Sequence, residues 1–473
     1  METENPPTRS QSRVFPSLAP RWQNDFSKGC RFNHFHFDYS PSTESETIMR
    51  NALIRNSVVA VIWWAIFFPG FYSSDSFAAV NMAKSGDLVN SYTASWAIYV
   101  RVFSLFGHFI GLLTLLNALI LVYSVTRFSF ALLSKKTAAI SSFLLTMTPL
   151  VAGMGITLWH DILMTAGLLL LAAFFTLFRQ GKNYTKSDFY SLLVPGAVLL
   201  SFRPNGLPTF IVFAVLTLIF VRRKTLIRPL ALVLAITAGT TIFNSLVVVG
   251  DDPINTHYAQ EWMRNDISCY AASPAGAGWV EMNMPGVGST QSWTSPEACT
   301  FLNRYSLESK DVISSYNLVP AAWRKLAMSN PAFILKTHFE RNYYVVPLPI
   351  NGLPSIPFLH STIERPDEGI AWAMPSVAEK ARVIMRAGNA LRPILAYAGM
   401  WLLLVLGALV LLKRKEWLPT FLMGFSLLGI LFVFAPIPDG RYALFVLLAG
   451  QLLLLGAIVD GIERLRNRNR ITA

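Results

Sequence analysis

The chain has 473 residues, 53% of them hydrophobic and only 14% charged, with a mean hydropathy of +0.43. So little charge cannot cover the surface of a soluble fold of this length, which excludes the ordinary soluble classes. A formal net charge of +13 would suit nucleic acid in a soluble chain, but here the basic residues form short clusters between apolar runs, as they do where charge sets membrane topology; no nucleic-acid partner is expected.

Residues 1–48 are polar, rich in Pro, Ser and Arg, and lack the apolar core of a signal peptide. They read as a disordered cytoplasmic tail, and Met49, just ahead of the first apolar run, is an alternative start of translation. Taking roughly 20 apolar residues as the length that crosses a bilayer, about ten helical spans follow. They lie near 53–71, 104–125, 137–155, 162–179, 188–202, 205–221, 227–249, 393–412, 417–436 and 442–461. The fold class is therefore an all-α polytopic membrane protein. Between the seventh and eighth spans, residues 250–392 are rich in Trp, Tyr, Pro and Asn and hold no spanning stretch, so they read as a folded outer domain of mixed structure. The three cysteines are too few for a disulfide scaffold. Cys269 and Cys299 share this outer segment, whereas Cys30 lies in the tail. Pairing of the two in an oxidising compartment would contribute about 3–4 kcal/mol in the chain-entropy model; two free thiols are the alternative.

Basic clusters orient the spans. Lys135 and Lys136 follow the second span, Arg179, Lys182 and Lys186 the fourth, and Arg222, Arg223, Lys224 and Arg228 the sixth. Lys413, Arg414 and Lys415 follow the eighth, and Arg464, Arg466, Arg468 and Arg470 the tenth, in the basic tail 463–473. Each cluster falls after an even-numbered span, so that side is cytoplasmic, both termini are inside, and 250–392 is outside.

The opposite face collects different residues. The first outer loop, 72–103, holds Asp75 in PGFYSSDS; GITLWHDILM brings His160 and Asp161; the turn SFRPNGLP brings Arg203 and Asn205; APIPDGRYALF brings Asp439 and Arg441. Each has a bland reading. Asp75 and Asp161 can cap helices, His160 can be an interfacial histidine with a satisfied hydrogen bond, and the arginines can snorkel from helix ends to the headgroups. Taken together, these readings require independent accidents on one face and none on the other. Ionisable groups at this depth are costly and tend to be functional.

The set suits glycosyl transfer from a lipid phosphate. A carboxylate can take the proton of an acceptor hydroxyl, and the charge developing on the departing phosphate calls for arginines, whose planar fork fits phosphate oxygens. A second carboxylate can orient the acceptor, or join the first in holding Mg2+ or Mn2+.

PGFYSSDS with the small-residue turn after it resembles the first outer loop of GT-C type integral-membrane glycosyltransferases, and in particular poorly characterised bacterial members with a P-G-x-x-x-x-D-S signature. WHDI at 159–162 is similar to their second acidic site, RPNG at 203–206 to their Arg-x-Asn-Gly turn, and PDGRY at 438–442 to their late Asp-x-Arg-Tyr element. SNPAFILKTHFERN, at 329–342, is similar to the helix before their last spans. The resemblance implies a GT-C-like fold with Asp75 as catalytic base or acceptor-orienting acid and Asp161 as the second acidic position. Arg203 and Arg441 would then contact the donor phosphate, with His160, Asn205, Asp439 and Tyr442 in support. It further implies a polyprenyl-phosphate-linked sugar donor, a glycan, lipid or protein acceptor, and action at the outer face of the bacterial cytoplasmic (inner) membrane. One motif departs: NSYTASWAIYV lacks the His-Pro pair that many such proteins carry after the acid.

Two alternatives use the residues differently. A transporter or lipid flippase needs helix breaks or ionisable groups at mid-membrane and internal repeats, and the sequence offers mainly His108, Asn117 and Asn244. An O-antigen ligase or polymerase type enzyme would centre its chemistry on His257, Arg264, Arg324, His338 and Arg341 of the large outer segment.

Overall fold

The computed structural model describes residues 43–86, 93–180, 186–221, 224–247, 260–284, 299, 316–345, 361–364, 369–390, 397–435 and 439–472. The architecture is all-helical; among the described residues there is no strand, only isolated bridges pairing Phe71 with Thr157 and Tyr72 with Ile363. The helices of seven residues or more are, in chain order, α1 (Thr43–Ile66), α2 (Ser74–Ser85), α3 (Ala94–Phe103), α4 (Ile110–Leu132), α5 (Lys135–Met147) and α6 (Pro149–Gly155). Next come α7 (His160–Arg179), α8 (Val194–Leu200), α9 (Gly206–Val221) and α10 (Ile227–Leu246). The outer segment supplies α11 (Glu261–Ala271), α12 (Val319–Ser329), α13 (Pro331–Arg341) and α14 (Pro375–Ala390), and the chain closes with α15 (Ala398–Val410), α16 (Leu418–Phe434) and α17 (Leu444–Thr472).

Every apolar run carries a helix. Among the described residues, Ile110–Leu132, His160–Arg179, Ile227–Leu246, Lys415–Phe434 and Gly440–Glu463 are long and apolar enough to cross a membrane. The α5–α6 pair is a further such span broken by a 66° bend. The bend falls at Thr148–Pro149, where the Thr148 hydroxyl accepts from Val151 N and Pro149 needs no backbone donor partner. The chain is a multi-pass membrane protein.

The core is centred on α7, whose spanning window is 89% buried. Its Gly167 lies against α8 so closely that a Cβ would come within 2.8 Å of the Gly196 carbonyl oxygen, the small-residue contact by which membrane helices pack. Asn56 of α1 donates to the Thr126 hydroxyl of α4 at 3.0 Å and to the Ser142 hydroxyl of α5 at 3.1 Å, a polar tie between helices in an apolar setting.

Local structure moves several expected boundaries. The second apolar run becomes helical only at Ile110, because Leu105, Phe106 and Gly107 adopt φ of 51°, 60° and 85° and turn the chain first. The first outer loop folds into α2 and α3 rather than staying irregular. At the two ends, α1 begins at Thr43, inside the expected tail, and α17 continues helically through the basic end to Thr472. The rest of the 1–48 tail lies outside the described residues.

In the outer segment the described part is helical, so the mixed structure expected there is not seen among the described residues. Ile267, Tyr270, Val280, Met284, Val319 and Leu326 form its small core, and Cys269 is disulfide-bonded to Cys299. A buried network fastens it to the end of α16. Asp266 accepts from Arg341 Nη2 at 2.8 Å and Trp323 Nε1 at 2.8 Å, with His338 Nε2 2.9 Å away. His338 Nδ1 and Asn342 Nδ2 both stand 3.0 Å from the Phe432 carbonyl oxygen.

Candidate active site

The PGFYSSDS run is shaped by contacts on both flanks. Gly70 has φ 122° and a Cβ there would sit 2.5 Å from the Ile156 carbonyl oxygen, so only glycine fits the turn that ends α1. Phe71 then bonds outward to the segment entering α7: its N–H donates to Ile156 O at 3.1 Å and its carbonyl accepts from Leu158 N at 3.2 Å. Tyr72 does the same on the other side, donating to Thr362 O at 3.1 Å and accepting from Glu364 N at 3.0 Å. This extended stretch carries the starts of α2 and α7 to one place.

Asp75 does not cap α2, and the helix starts earlier than Ser76. Ser73 is the N-cap, its N–H held by the Ser76 hydroxyl at 3.1 Å, while Glu364 Oε2 accepts from Ser74 N at 2.7 Å. Asp75 is the second residue of the helix. Asp161 likewise stands second in α7, behind the N-cap Trp159. Both acids therefore occupy the first turn, where the helix dipole favours a negative charge. The two starts are stitched together: Trp159 Nε1 donates to the Ser73 hydroxyl at 2.8 Å and Ser76 Oγ donates to Leu158 O at 2.9 Å.

Two arginines enter from other elements. Arg203 lies in the α8–α9 turn, and Arg441 in the short 3-10 turn Gly440–Ala443 that opens α17. Arg441 Nη2 donates to Asp75 Oδ2 at 2.8 Å; Arg441 Nε is 2.9 Å from Asp439 Oδ2 and 3.6 Å from Asp161 Oδ2. Arg203 Nη1 binds the other oxygen of Asp161 and lies 2.8 Å from His160 Nε2. Its guanidinium stacks 4.1 Å from the Tyr442 ring centroid, and that of Arg441 lies 4.5 Å from the Trp159 ring. Asp161 is fully buried, Arg203 and Arg441 are 8% and 6% exposed, and the Asp75 side chain keeps 18% of its surface open. Of Asp75 and Asp161, the acid with access to solvent is thus Asp75; the Asp439 side chain is 17% exposed.

Asp75, His160, Asp161, Arg203, Asp439, Arg441 and Tyr442 are brought together. Asn205 is not: its carbonyl accepts from Thr209 N at 3.1 Å, and its side chain touches none of these groups among the described residues. Burial pushes the Asp439 carboxyl above its ordinary value despite the Arg441 guanidinium beside it.

Sequence reasoning missed Trp159 and Glu364. Trp159 stands beside the quoted His-Asp pair and its indole could have been included on adjacency; Glu364 carries no local signal. Of the residues an O-antigen ligase reading would use, His338 and Arg341 are committed to Asp266, Arg264 is buried against Glu261, and Arg324 is exposed. His257 lies outside the described residues.

Asp75 and Asp161, the pair expected to be able to hold Mg2+ or Mn2+, offer two carboxylates between two arginines. Each carboxylate is already matched by an arginine, and among the described residues no group of three His, Cys, Asp or Glu side chains is placed to hold a metal.

No family model and no curated protein matches the chain. Two solved structures are similar to it. One is the archaeal oligosaccharyltransferase AglB from Archaeoglobus fulgidus, in complex with an inhibitory peptide and a dolichol-phosphate; the similarity covers 91% of this chain and 52% of that one, with 12% identity and a TM-score of 0.44. The chain therefore spans about half the length of that enzyme. The other is ArnT from Cupriavidus metallidurans, bound to undecaprenyl phosphate, with 87% of this chain and 78% of that one covered, 14% identity and a TM-score of 0.35.

Proposed function

We propose that the chain is a membrane glycosyltransferase that moves a sugar from a polyprenyl-phosphate donor to an acceptor hydroxyl on a glycan, lipid or protein. The observation that carries this reading is the meeting of Asp75, Asp161, Arg203 and Arg441, drawn from four separate parts of the chain, where the outer segment joins the bundle. The basic clusters support the layout: termini in the cytoplasm, residues 250–392 and the site at the outer face of a bacterial inner membrane, and ten spans in two blocks, 49–249 and 393–462.

Asp75 is the base, because it is the acid of the pair with access to solvent. Its carboxylate is held by Arg441 Nη2, so the reaction requires that guanidinium to turn to a donor phosphate. Asp75 then takes the proton of the acceptor hydroxyl, the hydroxyl oxygen bonds to the anomeric carbon, and the bond from that carbon to the phosphate oxygen breaks. The electron pair leaves with the prenyl phosphate, and Arg203 and Arg441 stabilise the charge. Asp161 holds Arg203 and approaches Arg441, which keeps both forks aimed at one point. A single displacement by this route inverts the anomeric centre. The group transferred is a hexosyl or pentosyl sugar.

The deciding assay uses purified wild type, Asp75→Asn and Arg341→Ala with a lipid-phosphate sugar donor. Loss of transfer in Asp75→Asn alone is expected. Full activity in that variant, or failure of the outer-segment variant alone, sinks the proposal.

A further inference from the structure

Trp159 stands where a tryptophan gains nothing locally. It is the N-cap of α7, with extended backbone at φ −129° and ψ 137°, and its side chain makes no capping bond. An indole has no oxygen to offer the free N–H groups of a helix start, where Ser, Thr, Asp or Asn is favoured. The residue is nonetheless only 7% exposed, and its contacts lead to the site.

The N–H makes one of these contacts and the ring face another. Nε1 donates to the Ser73 hydroxyl at 2.8 Å, and Ser73 is the N-cap of α2, two residues before Asp75. The Arg441 guanidinium lies over the ring, 4.5 Å from its centroid, while Arg441 Nη2 donates to Asp75 Oδ2 at 2.8 Å. One side chain therefore touches the guanidinium of this ion pair and the cap of the helix that carries its carboxylate. A ring face attracts a guanidinium through its negative quadrupole and takes up none of its N–H groups. The donors of Arg441 stay available to oxygens, and the contact can persist while they exchange one acceptor for another.

We propose that Trp159 is a positioning residue for the transfer step. Its N–H fixes the start of α2, and with it Asp75; its ring is the platform that holds Arg441 as the guanidinium passes from Asp75 to the donor phosphate. This rests on the glycosyltransferase reading above. The indole thereby links the placement of the base to that of the phosphate-binding fork.

The test uses the full chain in detergent, as wild type, Trp159→Phe and Trp159→Leu. Affinity for geranylgeranyl phosphate is read from the shift in melting, with geranylgeraniol as the control that lacks phosphate. Values of kcat and KM are measured with the lipid-phosphate sugar donor. Phenylalanine and leucine each fill part of the indole's volume and lack its N–H, but only phenylalanine presents a ring face. Geranylgeranyl phosphate should bind Trp159→Phe within about threefold of wild type and Trp159→Leu about tenfold more weakly, the size of a buried cation–π contact. In Trp159→Phe, kcat should fall about five- to tenfold, as for one lost hydrogen bond, with KM for the donor little changed. Equal affinity in the two variants, or wild-type kcat in Trp159→Phe, overturns the inference and leaves the donor reading intact. If Trp159→Leu does not fold, the kinetics of Trp159→Phe decide: a lower melting point with kcat and KM both unchanged makes the indole a packing residue only. If geranylgeranyl phosphate fails to stabilise wild type, the donor reading falls and this inference with it.

Discussion

Arg441 Nη2 donates to Asp75 Oδ2 at 2.8 Å across a sequence separation of 366 residues. The bond joins the first turn of α2 to the turn that opens α17, so Asp75 is held by a residue from the far end of the chain. Removing the Asp75 charge by Asp75→Asn should lower kcat by about 10²–10⁴-fold, the usual range for a lost general base. Folding should change little, since Ser73 and not Asp75 caps α2. Transfer rates beside melting curves check this, and a variant that merely melts would argue for a structural role.

Arg203 and Arg441 each use more than one nitrogen or face: Arg203 meets Asp161, His160 and the Tyr442 ring, and Arg441 meets Asp75, Asp161, Asp439 and the Trp159 ring. Lysine keeps the charge and loses the fork. Arg441→Lys should therefore cost about 10²–10³-fold in kcat/KM, close to the loss of an oxyanion donor. Near-normal activity in the lysine variant would mean that charge alone suffices.

Gly70→Ala tests the turn. Its φ of 122° and the 2.5 Å approach of a Cβ to Ile156 O leave no room for a side chain. Strain of about 1–3 kcal/mol is expected, with displacement of Phe71 from its bonds to Ile156 and Leu158 and loss of activity. Melting temperature and transfer rate should fall together; a stable, active Gly70→Ala would show that this contact does not set the site.

Acid should loosen the outer segment. Burial alone would raise Asp266, but the Arg341 guanidinium and the His338 and Trp323 hydrogen bonds more than offset it, and its carboxyl lies below the ordinary 3.8. A lowered folded-state value means that the unfolded chain binds the proton more readily. Asp266 therefore contributes stability above about pH 4 that is lost as pH falls toward its folded-state value. Melting measured from pH 6 downward should show this decline in the wild type and a shallower one in Asp266→Asn, which starts from lower stability. Parallel curves would remove Asp266 from the account.

Chelation separates arginine from metal chemistry. With Asp75 and Asp161 matched by Arg441 and Arg203, transfer should persist in excess EDTA. Activity that vanishes on chelation and returns with Mg2+ or Mn2+ would require these carboxylates to exchange their arginines for the ion.

The fold was largely legible because the features that specify it are local. Apolar length marks each helix, and basic clusters mark one side, so the helical runs could be read directly. Helix ends were less legible: the entry to α4 depends on positive-φ backbone at Leu105 and Phe106, which no apolar count reveals. The site was legible as a set of residue types on one face, with Asn205 included through its neighbour Arg203.

The amino-acid sequence by itself determined that this is a helical membrane chain carrying acids and arginines at one set of helix ends, because hydropathy and charge act over a few residues. Only the tertiary structure decided that Asp75 answers to Arg441 and that Arg203 answers to Asp161. Those choices depend on which helix ends converge, and long-range packing around α7 sets that convergence.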